Sequence, residues 1–287
     1  MRDVFIGSEQ LARGALSWGQ LRWNYESMFP DVYAPKGTCL PLQTRVMGAW
    51  LWSGRDGIIA GRAAAALHGA AWVGPATPIE LIGSFSRSPK GVIVRNERIT
   101  GGDEIVEING MAVTSLARTA LDLARHLPRD EAVRHLDALA HATGVCPDDA
   151  LTVAGRYPRA RGLRRAEIAI DLMDAGGQSP KETWLRLLLI DAGFPRPRTQ
   201  IRVSDGAASA FIDMGWDEPS IGVDYDGDQH RTDRRRYVHD IGRNELIERM
   251  GWLDLHVVAE HSRTFIVRRI AEAFARRGCP LKLRPRS

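Results

Sequence analysis

The chain has 287 residues, 44% hydrophobic and 26% charged, with a formal net charge of +4. A chain of this length buries a core without covalent staples, and this balance excludes wholesale disorder. The sequence has no apolar run long enough for a membrane-spanning helix or a signal peptide, and its three cysteines are too scattered for a disulfide framework or a CxxC metal knuckle, so a cytoplasmic protein is expected.

Length suggests about two domains, or three small ones; the reading divides the chain at 1–75, 76–176 and 177–287. At the N-terminus, Ser8 is placed to cap a short helix. Ser17 and Gln20 carry the spacing of a capping box, with Leu16 and Leu21 as its hydrophobic staple. A helix over 16–27 is expected as the second of a helix-turn-helix, exposing Gln20, Arg22, Trp23 or Asn24 towards DNA. Phe29 to Ala34 would be the wing. An ordinary three-helix cap fits the same spacing. Residues 42–72 read as a mostly helical block with a small-residue patch at Ala63 to Ala66.

Strands are expected at 79–82, 92–94, 104–108 and 111–113, the last two joined by Asn109-Gly110, a strong hairpin signal. The period then becomes helical through Leu116, Ala120, Leu123 and Leu127, and again from Ala132 to Ala140. Residues 155–162 read as a basic loop, and Gly176-Gly177 as a boundary. Beyond it, Ser179, Pro180 and Glu182 form a second helix start, which Gly193 ends. Strands follow at 201–203, 210–214 and 221–226, then a helix over 234–250, a strand over 252–258 and a helix over 264–277. The order is αβββαβα. The fold class expected is α/β (α+β).

The chemistry concentrates in that last part. Asp224 and Asp226 are two apart on one strand and share a face; Asp213 lies on the strand before. Such carboxylates repel one another unless a cation sits between them, and Mg²⁺ prefers carboxylate oxygens. Mn²⁺ is the alternative ion. It would polarise a phosphoryl oxygen and activate water. Asp213 and Asp224 are the expected metal ligands, assisted by Glu182 or Asp226, with His230 as general base or acid. Asp226-Gly227 also fits a plain turn, and Glu182 a plain cap. Of the 39 basic residues 35 are arginine, the side chain that grips phosphate with two donors at once, although a GC-rich genome would also enrich arginine. Arg231, Arg234, Arg235 and Arg236 follow His230 at the start of the long helix, beside the acids. This juxtaposition suits an anionic polymer. Asp240, Arg243 and Asn244 share one face of that helix, where internal ion pairs would explain them equally well.

As a set, Glu182, Asp213, Asp224-x-Asp226-Gly227-x-x-His230, Asp240 and Arg243 resemble the restriction-endonuclease-like superfamily, and within it the branch related to very-short-patch-repair (Vsr-like) endonucleases. The resemblance implies an Mg²⁺-dependent DNA endonuclease in which Arg243 joins the DNA-binding residues. Two departures stand out: Asp224 where glutamate is usual, and Asp226 where the wider superfamily has its lysine. Residues 1–145, chiefly Val113 to Asp122, are similar to AbiEi-type antitoxins, which implies a winged helix that binds operator DNA, with Arg22 on it, and a toxin or other protein as a further partner. An antitoxin-like regulator with a degenerate nuclease fold therefore stands beside the endonuclease. A nuclease fold used only for protein contact is a third possibility.

Overall fold

The structure is a computed structural model describing residues 4–85, 87–227, 234–279 and 281; for 234–240 it describes the backbone alone. The chain has a mixed α/β architecture with three sheets, and it divides into two compact units, Met1–Met173 and Asp174–Ser287.

The first unit opens with β1 (Phe5–Ile6), α1 (Gly7–Ala12), α2 (Trp18–Asn24), β2 (Tyr25–Phe29), β3 (Val32–Pro35) and α3 (Leu42–Trp52). The Ser17 hydroxyl accepts from the Gln20 N–H at 3.2 Å, and the Gln20 side chain accepts from the Ser17 N–H at 2.8 Å. The capping box thus forms as the spacing dictates. The helix ends at Asn24 rather than 27, because Tyr25 is already extended and begins a hairpin that pairs Tyr25 with Pro35. Ser8 does not cap α1. Ile6 holds that position, and the Ser8 N–H donates to the Asp31 carboxylate across the sheet at 2.9 Å.

Residues 42–72 are not all helical. β4 (Ile58–Ala60) precedes α4 (Gly61–Leu67) and sits in the middle of a five-stranded sheet with β5 (Ile79–Ile82), β6 (Val92–Arg95), β7 (Ile105–Ile108) and β8 (Met111–Thr114), in the order β6-β5-β4-β8-β7. Ile59 pairs with Leu81 on one side and Val113 on the other. Val32, Val46, Ile59, Leu81 and Val113 share one core, so the division expected at residue 75 falls inside a unit. Three residues are too few to show a strand's alternation. The hairpin at Asn109-Gly110 forms with both residues at positive φ, 53° and 78°.

Four helices complete the unit: α5 (Leu116–His126), α6 (Arg129–Thr143), α7 (Pro147–Gly155) and α8 (Leu163–Asp171). On α5, Arg118 is 1% exposed and reaches Glu104 at 2.9 Å, Asp122 at 3.0 Å and Glu97 at 3.0 Å. The Val113 to Asp122 segment is therefore spent on a strand, a helix start and a buried ion network.

The second unit comprises α9 (Pro180–Ala192), β9 (Arg198–Ser204), β10 (Ser209–Trp216), β11 (Ile221–Asp226), α10 (Arg234–Arg249), β12 (Leu253–Val258) and α11 (Arg263–Arg276). Ser179 caps α9 by accepting from the Glu182 N–H at 3.1 Å, whereas the Glu182 carboxylate accepts from Gln178 N–H at 3.0 Å, not from Ser179 as a capping box requires. The sheet order is β12-β11-β10-β9, antiparallel except for the parallel pair β11 and β12. On one face Leu185, Leu189, Ile266 and Ile270 of α9 and α11 pack on Met214, Val223, Leu255 and Val257. A second core joins Leu246 and Ile247 of α10 to Ile201, Val203, Ala210 and Ile212. Alternation along β11 and β12 then turns Gly222, Asp224, Asp226, Asp254 and His256 away from the first of these cores.

Candidate active site

The strand pattern breaks where the site begins. Ile212 and Met214 are two apart on β10, yet they pack in different cores. Between them, Asp213 and its opposite residue Gln200 drop out of the ladder, and Gln200 has φ of 49°. The β10–β11 ladder likewise ends at Met214 and Val223. Beyond it the side chains take over: the Asp213 N–H donates to Asp224 Oδ1 at 2.7 Å, and the Tyr225 N–H donates to Asp213 Oδ2 at 2.8 Å. Each aspartate clasps backbone of the opposing strand, so both carboxylates are held at the point where the strands separate.

Burial raises the Asp213 carboxyl to about 7, with the charges of Asp224 and Glu182 adding to it and the Tyr225 hydrogen bond and Arg243 opposing it. The Glu182 charge, from α9, thus bears on Asp213. Lys181 of the same helix lies 5.9 Å from the centroid of the Tyr225 ring.

Arg243 of α10 enters from the other side. Its Nη2 donates to Asp224 Oδ2 and to the Phe211 carbonyl, and its Nη1 lies 3.6 Å from Asp254 Oδ2. Arg243, which the resemblance assigns to DNA, lies here against carboxylates of its own unit. Asp226 Oδ2 lies 3.1 Å from His256 Nδ1 on β12. That bond, more than the opposing burial, raises the His256 pKa, and the charges of Asp254 and Asp226 add to it.

Asp254 and His256 do not stand out in the sequence, where 252–258 reads only as a strand. The signal was present: two polar residues two apart share a face of an otherwise apolar strand. The parallel register, Asp224 opposite His256 and Gly222 opposite Asp254, brings them to Asp224. Gly222 makes the approach possible, since a Cβ there would lie 2.9 Å from Asp254 Oδ1 and 2.8 Å from Ile212 Cγ2.

His230 and Arg231 lie outside the described residues, and Arg234, Arg235 and Arg236 begin α10 with their backbone alone described. Arg22 is exposed on α2, next to Trp23 at 77% exposure. Among the described residues, no helix is long and apolar enough to cross a membrane.

No family model matches the chain. It is similar to two proteins of Mycobacterium tuberculosis, "Uncharacterized protein MT2308" of strain CDC 1551 / Oshkosh and "Uncharacterized protein Rv2248" of strain ATCC 25618 / H37Rv, each 23% identical over 163 residues. The match covers 56% of this chain and 60% of either relative, so the chain spans less than two thirds of the length of the curated relatives it matches.

Proposed function

We propose that the second unit is a restriction-endonuclease-like, Vsr-related nuclease domain that acts on DNA with Mg²⁺, or Mn²⁺ in its place. The observation that carries the reading is the reciprocal clasp of Asp213 and Asp224 at the splayed end of β10 and β11, with Glu182 close enough for its charge to act on Asp213. Three carboxylates crowd there, and the Asp213 proton is held to about 7 by burial and that crowding, so the residues fit a hard divalent cation. Asp213 and Asp224 would hold it. The ion would polarise a phosphoryl oxygen and lower the pKa of a water. Asp213 orients Asp224 through its backbone N–H, and Arg243 fixes the other Asp224 oxygen. His230 is assigned the proton transfer and Arg231, Arg234, Arg235 and Arg236 the phosphates, on the sequence spacing.

In the first unit, α2 and the β2–β3 hairpin are assigned to DNA as a winged-helix-like element, on the exposure of Arg22, Trp23 and Asn24. A second reading, an antitoxin-like regulator with an inactive nuclease fold, is favoured by one observation: both oxygens of Asp224 already accept hydrogen bonds. The deciding experiment is cleavage of supercoiled plasmid with Mg²⁺ or Mn²⁺, beside an Asp213→Ala control. Nicking by the wild type alone supports the nuclease. DNA binding without metal-dependent cleavage by either protein selects the regulator.

A further inference from the structure

We propose that Asp224, Asp254 and His256 form a site for one divalent transition-metal ion of the zinc type, beside the Asp213–Asp224 clasp. The three residues offer ligand atoms that all lie within 4.8 Å of one another. That alone would be an acidic cluster. What points to a ligand is Asp254: its side chain is only 10% exposed, and neither buried carboxylate oxygen accepts a hydrogen bond from an N–H donor, while the Asp224 carboxylate crowds it. The nearest side-chain nitrogens, Arg243 Nη1 and His256 Nε2, both stand 3.6 Å from Oδ2. That is too long for a hydrogen bond. It is close to the roughly 3.0–3.4 Å that separates neighbouring ligand atoms around an ion bonded at about 2.0–2.1 Å.

The histidine is already set for the task. Its Nδ1 faces Asp226 Oδ2 at 3.1 Å, which leaves Nε2 directed at Asp254. A carboxylate behind the imidazole fixes the tautomer and ring orientation of metal-ligating histidines. Carboxylates outnumber bases around the site: Asp213, Asp224 and Asp254 gather with Arg243 and the His256 imidazole among the described residues. Each Asp224 oxygen has used one lone pair, on Asp213 N–H or on Arg243, and retains another. The Glu97, Asp122 and His126 group of the first unit differs, because Arg118 and Arg125 lie 2.9–3.0 Å from its carboxylates and supply the positive charge. An imidazole with two carboxylates suits zinc or manganese, whereas magnesium prefers oxygen alone. His256, 35% exposed, and Asp226, 48% exposed, open the site to solvent.

The proposal shares Asp224 with the nuclease reading but does not depend on cleavage. Zn²⁺ titrated calorimetrically into the full chain, stripped of metal by chelator, should bind at one per chain. D254N and H256Q should weaken this by roughly a hundredfold or more, and D226N, which releases the imidazole from its carboxylate, by about 10–100-fold. Co²⁺ should give visible absorption bands in the wild type that H256Q loses. Thermal unfolding of each variant verifies folding. No Zn²⁺ binding by the wild type, as when Asp254 simply holds a proton, or binding unchanged in folded D254N and H256Q, overturns the site. Failure of plasmid cleavage with Zn²⁺ binding intact would count against the nuclease alone.

Discussion

At the scale of the residue, Asp213 carries the clearest consequence. Its carboxyl is raised to about 7 by burial and by the neighbouring Asp224 and Glu182 charges. A raised folded-state value means that the native protein holds this proton more tightly than the unfolded chain. Its contribution to stability is therefore complete below the unfolded value of about 3.9 and is lost as pH rises through 7. Metal requires the ionised form, so the sign reverses for binding. Mg²⁺ affinity is expected to fall about tenfold for each pH unit below 7, as one proton must leave per ion bound. Mn²⁺ binding followed by electron paramagnetic resonance at pH 6 and 8 measures this, and equal affinities would remove Asp213 from the ligand set. Asp213, Asp224 and Asp226 were legible as a group because strand alternation is local. Asp254 and His256 were not, because only the parallel pairing of β11 with β12 carries them to Asp224 across a helix and a turn.

At the scale of the element, capping chemistry was the most readable feature. Ser17 and Ser179 both cap as their spacing dictates, because a cap is settled within four residues. Helix α2 nevertheless stops three residues early, where pairing of β2 with β3 outweighs helix propensity. For α10 the prediction concerns phosphate. If Arg234, Arg235 and Arg236 at its start meet DNA, replacing all three with Ala should weaken duplex binding. It should also flatten the log–log salt dependence by about 0.9 for each phosphate left without its arginine. Thermal unfolding of the triple variant verifies that it still folds. Fluorescence anisotropy across a salt series reads the slope, and an unchanged slope would mean that these arginines only solvate the helix.

At the scale of the whole molecule, the division at Met173 and Asp174 predicts two fragments, 1–173 and 174–287, that fold alone, since each has its own cores. Each should unfold cooperatively on heating, and 174–287 should retain any metal binding of the full chain; a molten or aggregated 174–287 would contradict this. The order αβββαβα of the second unit was already present in the sequence: capping serines, Gly193 and alternating apolar runs act over a few residues, and local sterics settle them. So were the acidic strand ends and the Asn109-Gly110 turn. Tertiary structure alone decided the rest. It placed the three-residue strand β4 in the middle of a sheet, carried one core across residue 75, turned Arg243 onto Asp224, and set Asp226 behind His256. Each of these depends on partners distant in the chain, whose pairing is selected by burial of the whole core and leaves no periodic trace in the local sequence.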